Sequence, residues 1–208
     1  LLRRQMRGGP DMRGLRKPLI VMSPKSLLRH PQVISTVDDL TKGVFYPVMD
    51  DPTVTNPAAI RKILLCSGKV YYDLLERRDN EKLAEVAIIR VEQFYPFPQA
   101  ALTALLARYD RVEDLVWAQE EPRNMGGFQF MEERLRPLLA ARPPLRYAGR
   151  PRSSSTATGS HRRHLAEQQA VVRDALRGGT GPETMPSTDS ERVGDAALVG
   201  LAELAGTT

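Results

Sequence analysis

Side chains able to do chemistry are thinly spread along these 208 residues, and only one group is dense. Ser23, Lys25, Ser26 and Arg29 place two hydroxyls and two cations within SPKSLLRHP, directly after an apolar run. If a helix starts there, its free backbone N–H groups and the two charges would attract an anion. On the competing reading both cations are solvated and Ser23 only caps the turn. A second candidate, Glu120-Glu121, ends an apolar run, where open parallel sheets present ligand-facing residues. Equally, a carboxylate there can cap the next helix or pair with Arg123. His161 and His164 stand three apart on a predicted helix, but Arg162 and Arg163 between them oppose a bound cation, so the group reads as a solvated face. Gly68 is alone and Gly126-Gly127 lacks the rest of a phosphate-loop pattern. Cys66, the single cysteine, lies in an apolar run and reads as a small core residue.

The elements that must position these residues centre on KILLCSGKVYYDLLERR, Lys62 to Arg78. Ile63 to Cys66 has no polar alternation, as expected of a strand buried on both faces. Ser67 and Gly68 turn the chain, and Val70, Tyr71, Leu74 and Leu75 then recur at helical spacing. A second buried run, Val86 to Val91, follows, so the helix carries the chain back for a parallel strand. Further strands are predicted at Pro18 to Met22, Leu115 to Ala118 and Leu145 to Ala148, with a short edge strand at Phe45 to Val48. A helix opens at Pro98 with Leu102, Leu105, Leu106 and Tyr109 on one face. Another carries Phe128, Met131, Leu135 and Leu138, and the last, His161 to Arg177, aligns Leu165, Val172 and Leu176. Thr36 is a candidate cap for a short TVDDL turn. Alternating strands and helices predict a three-layer α/β/α sandwich with a mainly parallel sheet of about five strands. Residues 1–17 read as the end of a preceding domain and a basic linker, 18–177 as the α/β domain, and 178–208 as a disordered tail rich in Gly, Thr, Ser and Pro.

The net charge of +5 is unevenly placed. Residues 1–30 carry eight Lys or Arg against Asp11, whereas 178–208 carry Arg192 against five acids. The arginines are not interleaved with stacking aromatics and no nucleic-acid motif occurs, so the basic face suits an acidic partner or a small anion rather than nucleic acid. No apolar run reaches the length of a membrane span. One cysteine and no signal peptide fit a reducing cytoplasm.

The strings LIVMSPKSLLRHP, LLCSGKVYYDLLERR, VAIIRVEQFYPFP, VWAQEEPRNMGGF and LRYAGRPRSSSTATGSHRRHLAEQQ resemble the carboxy-terminal domain of the decarboxylase component of 2-oxoglutarate dehydrogenase, from about Leu1 to Leu176. The resemblance implies a transketolase-like third domain that packs on catalytic domains and takes part in homodimer assembly. It also implies that thiamine diphosphate and magnesium are held by two preceding domains, whose Gly-Asp-Gly motif, activating glutamate and substrate histidines have no counterpart here. This chain alone would then bind no cofactor and supply no catalytic residue. The complete enzyme would decarboxylate 2-oxoglutarate oxidatively in the tricarboxylic acid cycle and pass a succinyl group to lipoamide on the dihydrolipoyl succinyltransferase component. Nucleotide-like effectors of the family make Ser23, Lys25, Ser26 and Arg29 the candidate effector site. The alternative is a stand-alone, non-catalytic assembly or regulatory module. LLRRQM at the start reads as the end of a helix from upstream sequence, which favours the enzyme. The tail after Arg177 runs past the usual family end.

Overall fold

The computed structural model describes residues 20–139 and 142–178, and backbone contacts divide the chain into two units between Phe45 and Tyr46. The expected features of residues 1–17 and 179–208 lie outside the described residues.

In the first unit, Lys25–Arg29 is a 3-10 turn and Val37–Thr41 is helix α1. Thr36 caps α1 as its position suggested. Its hydroxyl accepts the Asp39 N–H at 3.1 Å, while the Asp39 carboxylate accepts the Thr36 N–H at 2.8 Å. Two end groups that no helical carbonyl or amide could satisfy are thus paired reciprocally. The strand expected at Pro18 to Met22 is a correction: Ile20, Val21 and Met22 have no regular structure. Pro18 and Leu19 lie outside the described residues; an apolar run becomes a strand only beside a neighbour that takes its backbone hydrogen bonds, and the described elements of this unit are helical.

The second unit runs β1 (Val48–Met49), a 3-10 turn (Pro57–Ala59), β2 (Lys62–Cys66), α2 (Val70–Glu81), β3 (Val86–Val91), α3 (Gln99–Leu106), β4 (Asp114–Pro122), α4 (Phe128–Leu138), β5 (Leu145–Arg150) and α5 (His161–Arg177). The sheet order is β1-β3-β2-β4-β5. β2 pairs in parallel with β3 and β4, β4 with β5, and only β1 is antiparallel. The predicted α/β class, three layers and five strands are therefore present. The fifth strand, however, is the two-residue edge β1, slightly later than Phe45 to Val48, and not the run at Pro18.

Both faces of β2 are buried because both are covered. Leu64 and Cys66 pack with Val70, Tyr71 and Leu74 of α2 and with Val172, Ala175 and Leu176 of α5. Ile63 and Leu65 pack with Leu102 and Leu106 of α3 and with Phe128, Met131 and Leu135 of α4. Each such side chain contributes roughly 1.5–3 kcal/mol of transfer free energy when fully buried. Gly68 makes the strand-to-helix turn at φ 73°, a left-handed conformation that suits glycine. Leu165 departs from expectation, at 49% exposure. The first turns of α5 meet polar groups, and apolar burial begins only at Ala170.

Candidate functional site

In a parallel sheet the ligand crevice opens at the carboxy ends of the strands, where successive crossovers leave in opposite directions. Here that point lies between β2, whose crossover leads to β3, and β4 on its other side. It is closed by side chains. Lys69, just past β2, sits 2.9 Å from Asp73 Oδ2 and 2.8 Å from Glu120 Oε1. Gln168 of α5 donates Nε2 to the same two oxygens, at 2.7 and 2.8 Å. Burial works against the Lys69 ammonium, but hydrogen bonds to Asp73 and Glu120 outweigh it and hold its pKa above the ordinary lysine value. Glu120 thus neither caps α4 nor pairs with Arg123, as its sequence position allowed. Lys69 and Asp73 at i, i+4 were legible as a helical ion pair. Gln168, 95 residues from Asp73, was not.

The amino end of α4 is served instead by Gln119. Its Oε1 accepts the Phe128 N–H at 2.9 Å and the Trp117 indole N–H at 3.0 Å. Its Nε2 donates to the carbonyls of Glu121, Pro122 and Met125 at 3.2, 3.2 and 2.8 Å. Nearby, Tyr147 donates its hydroxyl to carbonyls of Glu121 and Arg150, and burial pushes that hydroxyl's pKa up. On the neighbouring helix, His164 Nδ1 lies 2.9 Å from Arg150 Nη2, and His161 is exposed, so the two imidazoles do not form one site. Cys66 is fully buried and its thiol is pushed up by that burial, which removes it from nucleophilic chemistry.

At the opposite rim, Asp114 accepts from Arg146 Nη2 at 3.0 Å and pairs with Lys62 Nζ at 3.2 Å. Lys62 and Arg146 also donate to the carbonyls of Leu176, Asp174 and Ala175, satisfying the carboxy end of α5 with positive charge. Burial alone would raise the Asp114 pKa, but hydrogen bonds and charge from Arg146 and Lys62 hold it below the usual carboxylate value. A depressed folded-state pKa contributes stability above the unfolded value of about 3.9, and loses it as pH falls through the folded value. Asp114→Asn should therefore be less stable than the parent at pH 7, with the difference shrinking below about pH 4 in thermal melts. A difference independent of pH would exclude this ion pair as its source.

A cleft of about 590 Å³ lies beside the amino ends of β2 and β3, lined by Thr53, Asn56, Ala59, Lys82, Leu83 and Ala84 among others. Arg78 in its wall is already committed to Asp51. Lys25, Ser26 and Arg29 lie on the first unit's 3-10 turn, Ser23 precedes its Pro24 cap, and all four are exposed. Pro24, not Ser23, occupies the cap position, and no side chain caps the turn. Among the described residues, no group of three His, Cys, Asp or Glu is arranged to hold a metal ion, and no helix is long and apolar enough to cross a membrane.

Comparison with known proteins gives this arrangement a context. Residues 34–176 match the family model described as 2-oxoglutarate dehydrogenase C-terminal. Three proteins named 2-oxoglutarate dehydrogenase E1 component are similar to the chain. That of Azotobacter vinelandii is 42% identical over 179 residues, that of Haemophilus influenzae 43% over 176, and that of Brucella ovis 45% over 190. In each case the match covers 85% of this chain but only 18% of the relative. A parallel α/β sandwich whose ligand crevice is closed by its own side chains is thus matched to one end of a much longer enzyme. The chain belongs to the 2-oxoglutarate dehydrogenase E1 family and carries its C-terminal domain.

Proposed function

We propose that this chain is the terminal α/β domain of a cytoplasmic 2-oxoglutarate dehydrogenase E1 component, acting in the tricarboxylic acid cycle. Its role is assembly: docking on the upstream catalytic domains and shaping the homodimer that serves the dihydrolipoyl succinyltransferase. The observation that carries this reading is the match of 85% of the chain to 18% of its relatives, together with the closed crevice. Thiamine diphosphate and magnesium would be held by the upstream part of the complete enzyme and would supply the carbanion chemistry for decarboxylation there. The residues described here do not fit that group, because a magnesium diphosphate needs free oxygen donors. The carboxylates of Asp73 and Glu120, at the place such a ligand would enter, are instead taken by Lys69 and Gln168. The division of domains at 1–17, 18–177 and 178–208 is part of the same proposal.

The test compares the purified chain with the full-length protein in thiamine diphosphate, magnesium and 2-oxoglutarate. The chain should release no carbon dioxide, and the full-length protein should turn over. Turnover by the chain alone would overturn the assignment. An anionic effector site at Ser23, Lys25, Ser26 and Arg29 belongs to this reading, supported by two cations on one exposed turn. In the full-length enzyme, Lys25→Ala with Arg29→Ala should weaken effector response by about 1–3 kcal/mol and leave basal turnover unchanged. Titration curves that overlay the parent's would remove the site.

A further inference from the structure

Most described arginines of the second unit are committed, and Arg111, Arg152 and Arg162, which hold no carboxylate, are exposed. Arg61, Arg77, Arg78, Arg90, Arg108 and Arg146 each hold a carboxylate. Arg123, just past β4, is different. It is half-buried, yet among the described residues its guanidinium has neither an ion-pair nor a hydrogen-bond partner. It is nonetheless fixed in place. The guanidinium stacks at 5.3 Å over both Phe128 and Tyr147. The backbone N–H of Arg123 donates to the Arg150 carbonyl at 3.1 Å, and Asn124 exchanges two hydrogen bonds with Ser153 at 2.9 and 3.0 Å. Exposed Glu121, two residues away, does not pair with it. A half-buried, stacked arginine fork without a counter-ion offers a bidentate site for a carboxylate or phosphate.

The loop after β3 carries Tyr95, at 83% the most exposed large apolar side chain among the described residues of this unit. The loop that bears it is anchored. Phe94 stacks on Trp117 with centroids 5.8 Å apart, Phe97 packs against the core, and Gln93 Nε2 donates to the Pro96 carbonyl at 2.8 Å. Phe94 also closes on Gly127, where an added Cβ would lie 2.5 Å from its ring, so this loop and the Arg123 loop meet. A tyrosine on an anchored loop and an arginine fixed by stacking are the residue types that dominate binding energy at protein interfaces. A free small anion would use the arginine and leave the tyrosine idle.

We propose that Tyr95 and Arg123 form a docking surface for a carboxylate-bearing face of the same dehydrogenase polypeptide. The occupant is the more than four-fifths of the relatives' length that lies outside this chain. Covalent connection keeps that part at high effective concentration, and an acidic side chain on it supplies the charge that Arg123 lacks. This inference rests on the assembly reading above and names the residues through which assembly occurs.

The full-length enzyme tests it, with a photoreactive benzoyl-phenylalanine in place of exposed Tyr95. Irradiation should join position 95 to an acid-containing peptide from the outside part of the dehydrogenase. Arg123→Glu should reduce that product about tenfold or more, and Arg123→Lys, which keeps the charge but loses the fork, should restore only part of it. Were Arg123→Glu to misfold, the identity of the peptide joined to position 95 still decides. Cross-links to the succinyltransferase alone, no cross-link at all, or a yield indifferent to Arg123→Glu in a folded variant would each overturn the proposal. Carbon dioxide release by the parent separates the two levels. An active parent without the cross-link sinks only the docking surface, whereas an inactive parent sinks the assembly reading.

Discussion

Asp51→Ala should lower the stability of the purified chain by about 3–5 kcal/mol, the usual penalty for stripping one partner from a buried ion pair. Arg78 and Asp51 have side chains only 6% and 1% exposed, and Arg78 Nη1 bonds Asp51 Oδ2. The same Oδ2 accepts the backbone N–H of Ile88 at 2.9 Å, and Oδ1 accepts from Thr53 N–H at 3.0 Å and from its hydroxyl. β1 pairs with β3 only at Val48↔Val91 and Met49↔Arg90. Continuing that register puts Asp51 opposite Ile88, where strand pairing has stopped and the carboxylate takes the amide that would otherwise go unmet. Removing it leaves the Ile88 N–H without its acceptor and the buried Arg78 guanidinium with only the half-exposed Asp79 carboxylate, 2.9 Å from Nη2. For a unit of this size the melting temperature should fall by roughly 6–20 °C. Asp51→Asn, which keeps an acceptor and loses the charge, should fall between the two. A loss below about 1 kcal/mol for Asp51→Ala would show that water replaces the carboxylate.

Gln119→Leu should cost about 2–4 kcal/mol despite keeping bulk and removing a polar group from the interior. The amide is buried and fully used, accepting two hydrogen bonds and donating toward three carbonyls. Leucine would leave the Trp117 indole N–H and the Phe128 N–H without their acceptor. Because Phe128 opens α4, the loss should also weaken the first turn of that helix, visible as faster amide exchange there than at Leu135. Unchanged denaturant midpoints and exchange would mean that the strand-to-helix turn does not depend on this side chain.

The two residues behind these expectations mark where the sequence stopped being informative. Strands β2, β3 and β4 announce themselves as apolar runs buried on both faces, whereas β5 carries Arg146 and Arg150 and is only partly buried, and the last helix was read at His161 to Arg177 from its period. Asp51 stands in an irregular stretch with Pro47, Pro52 and Pro57, and its partner is 27 residues on. No local pattern distinguishes such an aspartate from a turn residue. Gln119 reads as the polar end of a strand, and only the return of the chain at Phe128 gives it work. The Pro18 to Met22 run misled for the opposite reason: composition reports what a segment could bury, not whether a neighbour is there to pair with it. For the candidate site, Glu120 was found but not its partners across α5, and Arg123 was noticed only as a neighbour of acids.

The two sides of the sheet are not interchangeable in volume. On the side of α3 and α4 stand Tyr109, Trp117, Phe128 and Tyr147, whereas the side of α2 and α5 is floored by Cys66, Ala118, Ala148 and Ala175. Moving β4 by one residue against β2 would send the Trp117 indole toward space sized for Ala118, and replace it opposite with a methyl group. One layer would be overfilled and the other hollow, each a penalty of several kcal/mol. The unequal thickness of the two layers therefore acts as an alignment key: a slipped sheet cannot close either layer, so the parallel pairing that sets Gln119, Glu120 and Arg123 at the rim is selected during folding rather than merely tolerated after it.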